Sequence, residues 1–495
     1  MAYNILKQHA RFKLHAIERL NLLLDKGSFC EIGKEVAELG GTYSNSELPY
    51  DGVITGYGYI KKQLVFVYAQ DFTICGGTVG LKHAEKIVKI IELAIENKAP
   101  VIGINDSGGA RIQEGVNALA GYGKIFYSNT LASGYIPQIS IISGPCAGGA
   151  VYSPGITDFI FITRKIGTMY VTGPKVLEHV TGMKCSAENL GGADVHSRSG
   201  VAHFIHDSEK ESFESVRSLI SLLPANCEDH QSMNTKYIPK KSRIKNISQI
   251  VPDDSKKAYD MHNIIDMIID EQSFMEVHQY FAANIIVGFA RLSDITIGIV
   301  ANNPASAAGV LDCDASDKAA RFIRFCDCFH IPIVTLVDAP GFMPSVKEEE
   351  KGIIRHGAKM LFAYSEATAV KVTIIIRKAY GGAYIAMGSR HLKADMVYCW
   401  PNAEVAVMGE ECAVEILFHK QIAEITGKEK EDYIKNRCEE YRFKYINPRA
   451  ALKEGYIDGV IEPDDTRSII FNTLIAFRNK SLLRCLPKKH NNIPL

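Results

Sequence analysis

The feature that most constrains this chain is an internal duplication. In the first half, VIGINDSGGARIQEG at 101–115 is followed by ISGPCAGGAVYSPGITDFIF at 142–161. In the second half, PIVTLVDAPGFMPS at 332–345 is followed by IIRKAYGGAYIAMGSRHLKADMVY at 375–398. Each copy contains an apolar run, a glycine-rich turn and a helix-compatible stretch in the same order. The two halves are therefore expected to fold into similar structures.

The spacing inside the two copies agrees closely. Asp106 and Gly148 are 42 residues apart (148 − 106), and Asp338 and Gly381 are 43 residues apart (381 − 338). Solenoid repeats have periods of about 20 to 50 residues, whereas this period has the size of a domain. The pattern therefore predicts two homologous domains.

We predict an N-terminal domain at 1–240 and a C-terminal domain at 241–495, joined by the polar stretch at 228–245. Both domains should be of the α/β class, because each contains short apolar runs rich in β-branched residues, which are typical of interior strands. The predicted strands are 101–104, 139–142, 333–337 and 372–376, and the stretch at 353–365 is compatible with a helix.

A Gly-Gly-Ala turn follows a predicted strand in each half, at 148–150 and at 381–383. Glycine lets a ligand approach the backbone closely, and the first N–H groups of a helix have no partner within it. Two such donors aimed at one point can stabilise an oxyanion. Small residues also serve tight helix packing, but two copies at matching positions favour one oxyanion hole for each of two reacting anions.

Charge and hydropathy exclude other classes of protein. Lys plus Arg equals Asp plus Glu (56 − 56 = 0), so no overall field attracts nucleic acid. The N terminus lacks the uninterrupted apolar stretch of a signal peptide, and the apolar runs elsewhere are too short to span a bilayer. We therefore expect a cytoplasmic protein with no nucleic-acid partner.

Common catalytic and metal-binding motifs do not occur in the sequence. The twelve cysteines include no CxxC pair, which argues against a zinc site, and we expect no bound metal. No GxSxG, HExxH or GxxxxGK[ST] segment occurs either. Hydrolase, zinc-protease and P-loop ATPase activities therefore lose their usual support, and a mechanism that polarises enolates fits better.

Four segments resemble the signatures of the biotin-dependent acyl-CoA carboxyltransferases, of the propionyl-CoA carboxylase beta and methylmalonyl-CoA decarboxylase alpha type. They are NDSGGARIQEGV from Asn105, GPCAGGAVYSP from Gly144, DAPGFMPS from Asp338 and RKAYGGAYIAMGS from Arg377. The resemblance covers essentially the whole chain. It implies two homologous crotonase-like domains and a homohexamer built as a trimer of dimers, with the active site in the dimer interface.

The resemblance also implies roles for individual residues. The N-terminal domain is expected to bind acyl-CoA, and the N–H groups of Gly149 and Ala150 to stabilise the thioester enolate. The C-terminal domain of a neighbouring subunit is expected to bind biotin, and the N–H groups of Gly382 and Ala383 to stabilise its oxygen. No side chain need act as the base, because biotin that has released CO2 can accept the α-proton. The further residues implied in substrate binding are Gly108, Gly109, Ala110, Gly148, Tyr152, Gly381 and Ile385.

The expected reaction is transfer of CO2 from carboxybiotin to the α-carbon of a short acyl-CoA, with propionyl-CoA favoured over acetyl-CoA. The chain has no biotinylation motif, because Met183-Lys184 is followed by Cys185. Biotin is therefore expected on a separate carrier subunit, together with a biotin carboxylase partner. The alternative is a methylmalonyl-CoA decarboxylase or transcarboxylase subunit that runs toward carboxybiotin and meets a membrane only through partners.

Two unrelated readings fit less well. A biotin-independent crotonase that acts as a hydratase or isomerase usually has one domain and acidic side-chain catalysts, so the duplication argues against it. An inactive scaffold for an active partner would be expected to lose a Gly-Gly-Ala turn, and both turns are present.

Several side chains allow two interpretations. Ile385 follows the second Gly-Gly-Ala turn, where it either lies near the acyl group and selects for short alkyl chains or packs in the core. Cys412 stands where the family is expected to have Gly, and the change either restricts the backbone or is tolerated.

Charged residues near the first glycine loop are equally open. Arg111 and Glu114 lie either near the CoA entrance or in a helix-capping ion pair. Lys86, Lys89 and Lys98 either meet CoA phosphates or form an exposed helical face.

Overall fold

The computed structural model describes residues 2–37, 49–229, 236–238, 249–480 and 490–494. The chain divides into two units, Met1–His230 with His278–Phe281, and Gln231–Val277 with Ala282–Leu495. Most of the predicted linker at 228–245, including the predicted boundary after residue 240, lies outside the described residues. Within the described ranges, no helix is long and apolar enough to cross a membrane.

The strands of the first unit are β1 Cys30–Glu31, β2 Val53–Ile60, β3 Gln63–Gln70, β4 Val101–Ser107, β5 Gln138–Ala147, β6 Phe159–Thr163, β7 Thr168–Tyr170 and β8 Phe204–His206. They form one sheet in the order β1-β2-β3-β4-β5-β6-β8, with β7 paired to β5. The β1–β2 and β2–β3 pairs are antiparallel and the others are parallel. The helices are α1 Ala2–His9, α2 Ala16–Leu23, α3 Leu81–Glu96, α4 Val116–Ala132, α5 Tyr152–Ile156, α6 Pro174–Thr181, α7 Ala187–Gly191, α8 Ala193–Arg198 and α9 Glu209–Ile220.

The strands of the second unit are β9 Met275–Val277, β10 Ile285–Leu292, β11 Ile295–Asn302, β12 Ile333–Ala339, β13 Lys371–Tyr380, β14 Met396–Cys399, β15 Glu404–Ala406 and β16 Gly459–Val460. Their order is β16-β14-β13-β12-β11-β10-β9, with β15 paired to β13. The helices are α10 His262–Ile268, α11 Cys313–Cys328, α12 Val346–Lys351, α13 Ile353–Glu366, α14 Gly381–Ala386, α15 Glu410–Leu417, α16 His419–Glu424, α17 Gly427–Tyr441, α18 Pro448–Lys453 and α19 Thr466–Phe477.

The predicted duplication is confirmed strand by strand. Each sheet begins with an antiparallel hairpin and continues with parallel strands in the same order, so β4 and β5 correspond to β12 and β13. The four predicted strands lie inside these four, and the predicted helix lies in α13. All residues of β4 and β12 are buried, as expected for strands in the middle of a parallel sheet.

Both units contain a buried lysine at the sixth position of a sixteen-residue helix, Lys86 in α3 and Lys318 in α11. Each ammonium donates to two carbonyl oxygens at the start of the antiparallel hairpin: Tyr50 and Val53 for Lys86, and Ala282 and Ile285 for Lys318. Burial lowers the pKa of each lysine to about 8. Lys86 therefore joins α3 to β2, and both interpretations offered for it from the sequence are wrong.

The other two lysines lie apart from Lys86. Lys89 is exposed on α3. Lys98 lies beyond the end of α3 and forms an exposed ion pair with Glu228. The three lysines therefore do not form one helical face.

We predict that Lys86→Met destabilises the protein while Lys89→Met does not. Loss of the ammonium leaves two carbonyl groups of the hairpin without their donor, which should cost about 1–3 kcal/mol of unfolding free energy. The exposed control on the same helix should change it by less than about 0.5 kcal/mol. Urea denaturation of both variants measures the difference, and equal midpoints would contradict the structural role of Lys86.

Candidate active site

The first site is built around Asp106, a buried residue of β4. Lys13 Nζ lies 2.7 Å from one carboxylate oxygen, and Arg19 Nη1 lies 2.9 Å from the other. Arg19 also pairs with Glu209 at 2.6 Å and donates to the Ser143 carbonyl at 2.7 Å. Burial disfavours the charged guanidinium, but the two carboxylates outweigh burial and raise the pKa of Arg19. This cluster links α2, β4, β5 and α9 around the strand ends.

In the second unit the matching aspartate is Asp338 of β12, and its arginine partner comes from a different element. Arg377 Nε lies 3.0 Å from the Asp338 carboxylate. Arg377 stands four residues before the first glycine of the Gly-Gly-Ala turn, and the residue at that place in the first unit is Gly144. A Cβ on Gly144 would overlap the Asp106 carboxylate, so the guanidinium comes from α2 instead. Burial raises the pKa of Asp338, and Arg377 opposes that rise.

A glycine loop follows β4 and presents an unpaired backbone donor. Ala110 forms an isolated parallel bridge with Val79, in which Val79 N–H donates to the Gly109 carbonyl and Arg111 N–H donates to the Val79 carbonyl, each at 2.9 Å. The Ala110 N–H therefore faces away from the bridge, and it donates to no acceptor among the described residues. A Cβ on Gly109 would lie 2.8 Å from the Ala147 carbonyl oxygen, so this loop lies against the start of the Gly-Gly-Ala turn.

The second unit repeats this arrangement with Phe342 in the place of Ala110. Phe342 forms an isolated parallel bridge with Leu311, whose N–H donates to the Gly341 carbonyl at 3.0 Å and whose carbonyl accepts from Met343 at 2.8 Å. The Phe342 N–H likewise has no acceptor within the described ranges. The sequence analysis expected Ala110 to bind substrate but missed Phe342, because only the matching bridges reveal that the two residues are equivalent.

The Gly-Gly-Ala turns provide the second donor of each site. Gly148 and Gly381 adopt φ values of +61° and +57°, which favour glycine. The first turn, Gly148–Val151, is a 3-10 helix that leads into α5, whereas Gly381 opens α14 directly. In a 3-10 turn the N–H of the third residue, here Ala150, pairs with the carbonyl of the residue before the turn, here Ala147. The Gly149 N–H is therefore the last open donor of this turn. The second unit leaves both the Gly382 and the Ala383 N–H open.

An aromatic ring lies beneath each turn. A Cβ on Gly149 would lie 3.3 Å from the Tyr122 ring of α4, and a Cβ on Gly382 would lie 3.6 Å from the Phe342 ring. Sequence reasoning missed both rings. Tyr122 belongs to a helix and Phe342 to a loop, so the two rings occupy no matching positions in the duplicated motifs.

The remaining predicted binding residues lie beside the turns. Gly108 belongs to the loop after β4, and Tyr152 begins α5 with half of its surface exposed and its ring edge-on to Phe126. Ile385 of α14 is 38% exposed and lines a cavity of about 1790 Å³ instead of packing in the core. Gly381 and Gly382 also line that cavity, together with Phe443, Lys444 and Tyr445 of the π-helical turn Arg442–Ile446.

The other ambiguous residues take structural roles. Buried Arg111 pairs with Asp51 at 2.5 Å and with Glu114 at 2.8 Å. Glu114 accepts the Leu81 N–H at the start of α3 at 2.6 Å, so the helix-capping interpretation is confirmed. Cys412 is exposed at the third position of α15 without a positive φ, so its side chain is accommodated. Among the described residues, no group of His, Cys, Asp or Glu side chains could hold a metal ion.

Comparison with known proteins places this geometry in a family. The carboxyl transferase domain model matches residues 7–493. A putative propionyl-CoA carboxylase beta chain of Bacillus subtilis is 50% identical over 99% of this chain and 95% of its own. The methylmalonyl-CoA decarboxylase subunit alpha of Veillonella parvula is 50% identical over 99% of this chain and 94% of its own. The structure of transcarboxylase 12S, a hexamer with methylmalonyl-coenzyme A bound, superposes with a TM-score of 0.95 at 44% identity, covering 100% of this chain and 94% of that one. The predicted duplicated crotonase-like fold is confirmed.

We predict that Arg19→Met destabilises the protein by about 3–5 kcal/mol, because it leaves the buried Asp106 and Glu209 carboxylates without their guanidinium. The control Arg217→Met removes a partly exposed pair with Asp25 from a neighbouring helix and should cost less than about 1 kcal/mol. Urea denaturation compares the two variants. A loss for Arg19→Met no larger than that of the control would show that the cluster does not hold the strand ends.

Proposed function

The chain belongs to the carboxyl transferase family, and we propose that it moves a carboxyl group between biotin and the α-carbon of a short-chain acyl-CoA. The observation that carries the proposal is a set of open backbone donors at each Gly-Gly-Ala turn, two in the first unit and three in the second. A two-substrate carboxyl transfer needs support for two anions. Relatives named for propionyl-CoA carboxylase and methylmalonyl-CoA decarboxylase support a short acyl group.

In the first unit, we propose that the Ala110 and Gly149 N–H groups bind the thioester oxygen of the acyl-CoA. Negative charge develops on that oxygen when the α-proton leaves, so fixed donors stabilise the enolate more than the ground state. The Tyr122 ring supports the Gly149 turn from below. Gly108, Gly148 and Tyr152 line the approach to these donors. The donor role expected for Ala150 stays a prediction, because its N–H closes the 3-10 turn in this structure.

In the second unit, we propose that the Phe342, Gly382 and Ala383 N–H groups bind the ureido oxygen of biotin. The open donors and the adjacent cavity fit such a group, since the oxygen needs donors and the bicyclic ring needs an apolar wall. Carboxybiotin supplies the CO2 and, once it has released it, the base for the α-proton. The chain's own residues bind and orient the reactants, and no side chain has to serve as nucleophile or base.

We also propose that biotin reaches this chain on a separate carrier subunit, which a biotin carboxylase loads. The sequence supports this arrangement because it has no biotinylation motif at Lys184. The hexamer described for transcarboxylase 12S supports a homohexamer, with acyl-CoA bound by one subunit and biotin by its neighbour in each dimer. Localisation in the cytoplasm is part of the same proposal.

The opposite direction is the second candidate. The Veillonella parvula relative, which is named a methylmalonyl-CoA decarboxylase subunit, is as similar as the Bacillus subtilis carboxylase chain, at 50% identity each. The same donors stabilise the same enolate in either direction, so the geometry is equally suited to both.

Purified protein should carboxylate propionyl-CoA when carboxybiotin is supplied, free or on a carrier, and should not do so without it. Incorporation of labelled carbonate into acid-stable product measures the transfer, and biotin-dependent decarboxylation of methylmalonyl-CoA measures the reverse. Failure of both reactions with propionyl-CoA, acetyl-CoA and their carboxylated forms would overturn the proposal.

Gly149→Pro should lower kcat by about 100-fold or more, because it removes one oxyanion donor. Proline is tolerated in the first turn of a helix, so the turn itself can persist. The matched control Gly149→Ala adds a similar Cβ against Tyr122 but keeps the N–H, and it should retain far more activity. Equal losses in the two folded variants would assign the effect to crowding and reject Gly149 as a donor.

We propose that the acyl group held by the neighbouring subunit of the dimer reaches Ile385 beside the biotin cavity. Ile385→Asp should therefore change the preference among acyl-CoA substrates, because a carboxylate disfavours an alkyl chain beside it. The ratio of kcat/KM for propionyl-CoA to that for acetyl-CoA should fall roughly tenfold, since a pocket contact with one methylene is worth about 1–3 kcal/mol. An unchanged ratio would remove Ile385 from the acyl site.

A further inference from the structure

We infer that Tyr380, Glu404 and Arg442 form a positioning chain that holds the second Gly-Gly-Ala turn against the wall of its cavity and so shapes the site for biotin. The inference rests on the proposed function and adds residues that act through the turn. The three side chains come from the end of β13, the start of β15 and the π-helical turn. Tyr380 lies in the duplicated segment but is not repeated in the first half, and Glu404 and Arg442 lie outside that segment.

The side-chain contacts run without a break from the Gly-Gly-Ala turn to the cavity wall. Tyr380 immediately precedes Gly381, and its hydroxyl donates to the Glu404 carboxylate. The other oxygen of Glu404 lies 3.3 Å from Arg442 Nη1. Arg442 Nη2 lies 2.7 Å from Glu410, which begins α15. The Arg442 guanidinium therefore connects the start of α15 with the residue before the oxyanion turn, through the Glu404 carboxylate.

Glu404 needs both partners because it is buried. A buried carboxylate is costly unless hydrogen bonds or an opposite charge compensate it. Burial, reinforced by the Glu404 charge, raises the pKa of Tyr380, so its hydroxyl stays protonated as a donor at neutral pH. The guanidinium of Arg442 supplies the compensating charge. Removing either partner should let Glu404 move and release the backbone at Gly381.

The duplication shows that the fold itself does not require the contacts among Tyr380, Glu404 and Arg442. Tyr380 pairs with Ala406 across β13 and β15, as Ala147 pairs with Tyr170 across β5 and β7. Tyr380 therefore corresponds to Ala147, and Glu404, two residues before Ala406, corresponds to Thr168. Ala147 has no hydroxyl and Thr168 has no carboxylate, so neither can replace its counterpart in these contacts. The first unit nevertheless forms the same strands and turn. The contacts among Tyr380, Glu404 and Arg442 are therefore specific to the second unit.

The π-helical turn is the element that these contacts hold in place beside the cavity. Arg442–Ile446 follows α17, and such turns are rare and frequently occur at functional sites. Phe443, Lys444 and Tyr445 line the cavity together with Gly381 and Gly382, and Phe443 is 85% exposed. Because Arg442 is the first residue of this turn, its contact with Glu404 fixes the distance between the aromatic wall and the oxyanion donors.

The test measures the biotin-dependent decarboxylation of methylmalonyl-CoA with free biotin in the full-length protein. Arg442→Gln should raise the KM for biotin about tenfold or more and change the KM for methylmalonyl-CoA less than about twofold. Tyr380→Phe keeps the ring, so it should fold and raise the KM for biotin in the same way. The control Arg437→Gln removes an exposed ion pair with Glu440 on α17 and should leave both KM values unchanged.

A double variant separates positioning from general damage. Glu404→Gln with Arg442→Gln leaves no uncompensated buried charge, and the two amides can keep a neutral hydrogen bond between the same elements. Its KM for biotin should therefore return most of the way toward that of the unmodified protein. A KM for biotin in the double variant as high as that of Arg442→Gln would overturn the proposed positioning role of these residues. An equal rise in both KM values of a single variant would overturn it as well. Absence of biotin-dependent reaction in the unmodified protein would instead overturn the proposed function.

Discussion

Backbone N–H groups that the fold leaves without an acceptor, at the ends of neighbouring parallel strands, are the constraint on which the rest of this structure depends. Such donors are costly when buried, and they persist only where the surrounding structure fixes them. Here the isolated bridges at Ala110 and Phe342 point one donor away from the sheet, and the Gly-Gly-Ala turns supply another. Each pair is preorganised for an anion, because the backbone cannot turn to find a better partner.

The two units hold these donors with a shared frame and different supports. The buried lysines of α3 and α11 and the aspartates of β4 and β12 occupy matching positions. The guanidinium that neutralises the aspartate comes from α2 in one unit and from β13 in the other. What the duplication retained is therefore the charge and the hydrogen bond rather than the residue that provides it.

The differences between the units fit their proposed ligands. The first unit places Tyr122 beneath a 3-10 turn, whereas the second places Phe342 beneath a helix start beside a large cavity. Only the second unit adds the Tyr380, Glu404 and Arg442 chain. A duplicated fold can specialise in this way because changes at the rim of the sheet leave the central parallel strands intact.

The sequence by itself determined the duplication, the α/β class, the central strands and the two Gly-Gly-Ala turns, because these depend on local backbone preferences and on spacing along the chain. It did not reveal that Lys86 is buried, that Phe342 matches Ala110, or that Arg19 plays the part of Arg377. Those facts depend on contacts between residues far apart in the chain, such as the 87 positions between Arg19 and Asp106. Only the tertiary structure brings such residues together, because burial and ion pairing are properties of neighbours in space.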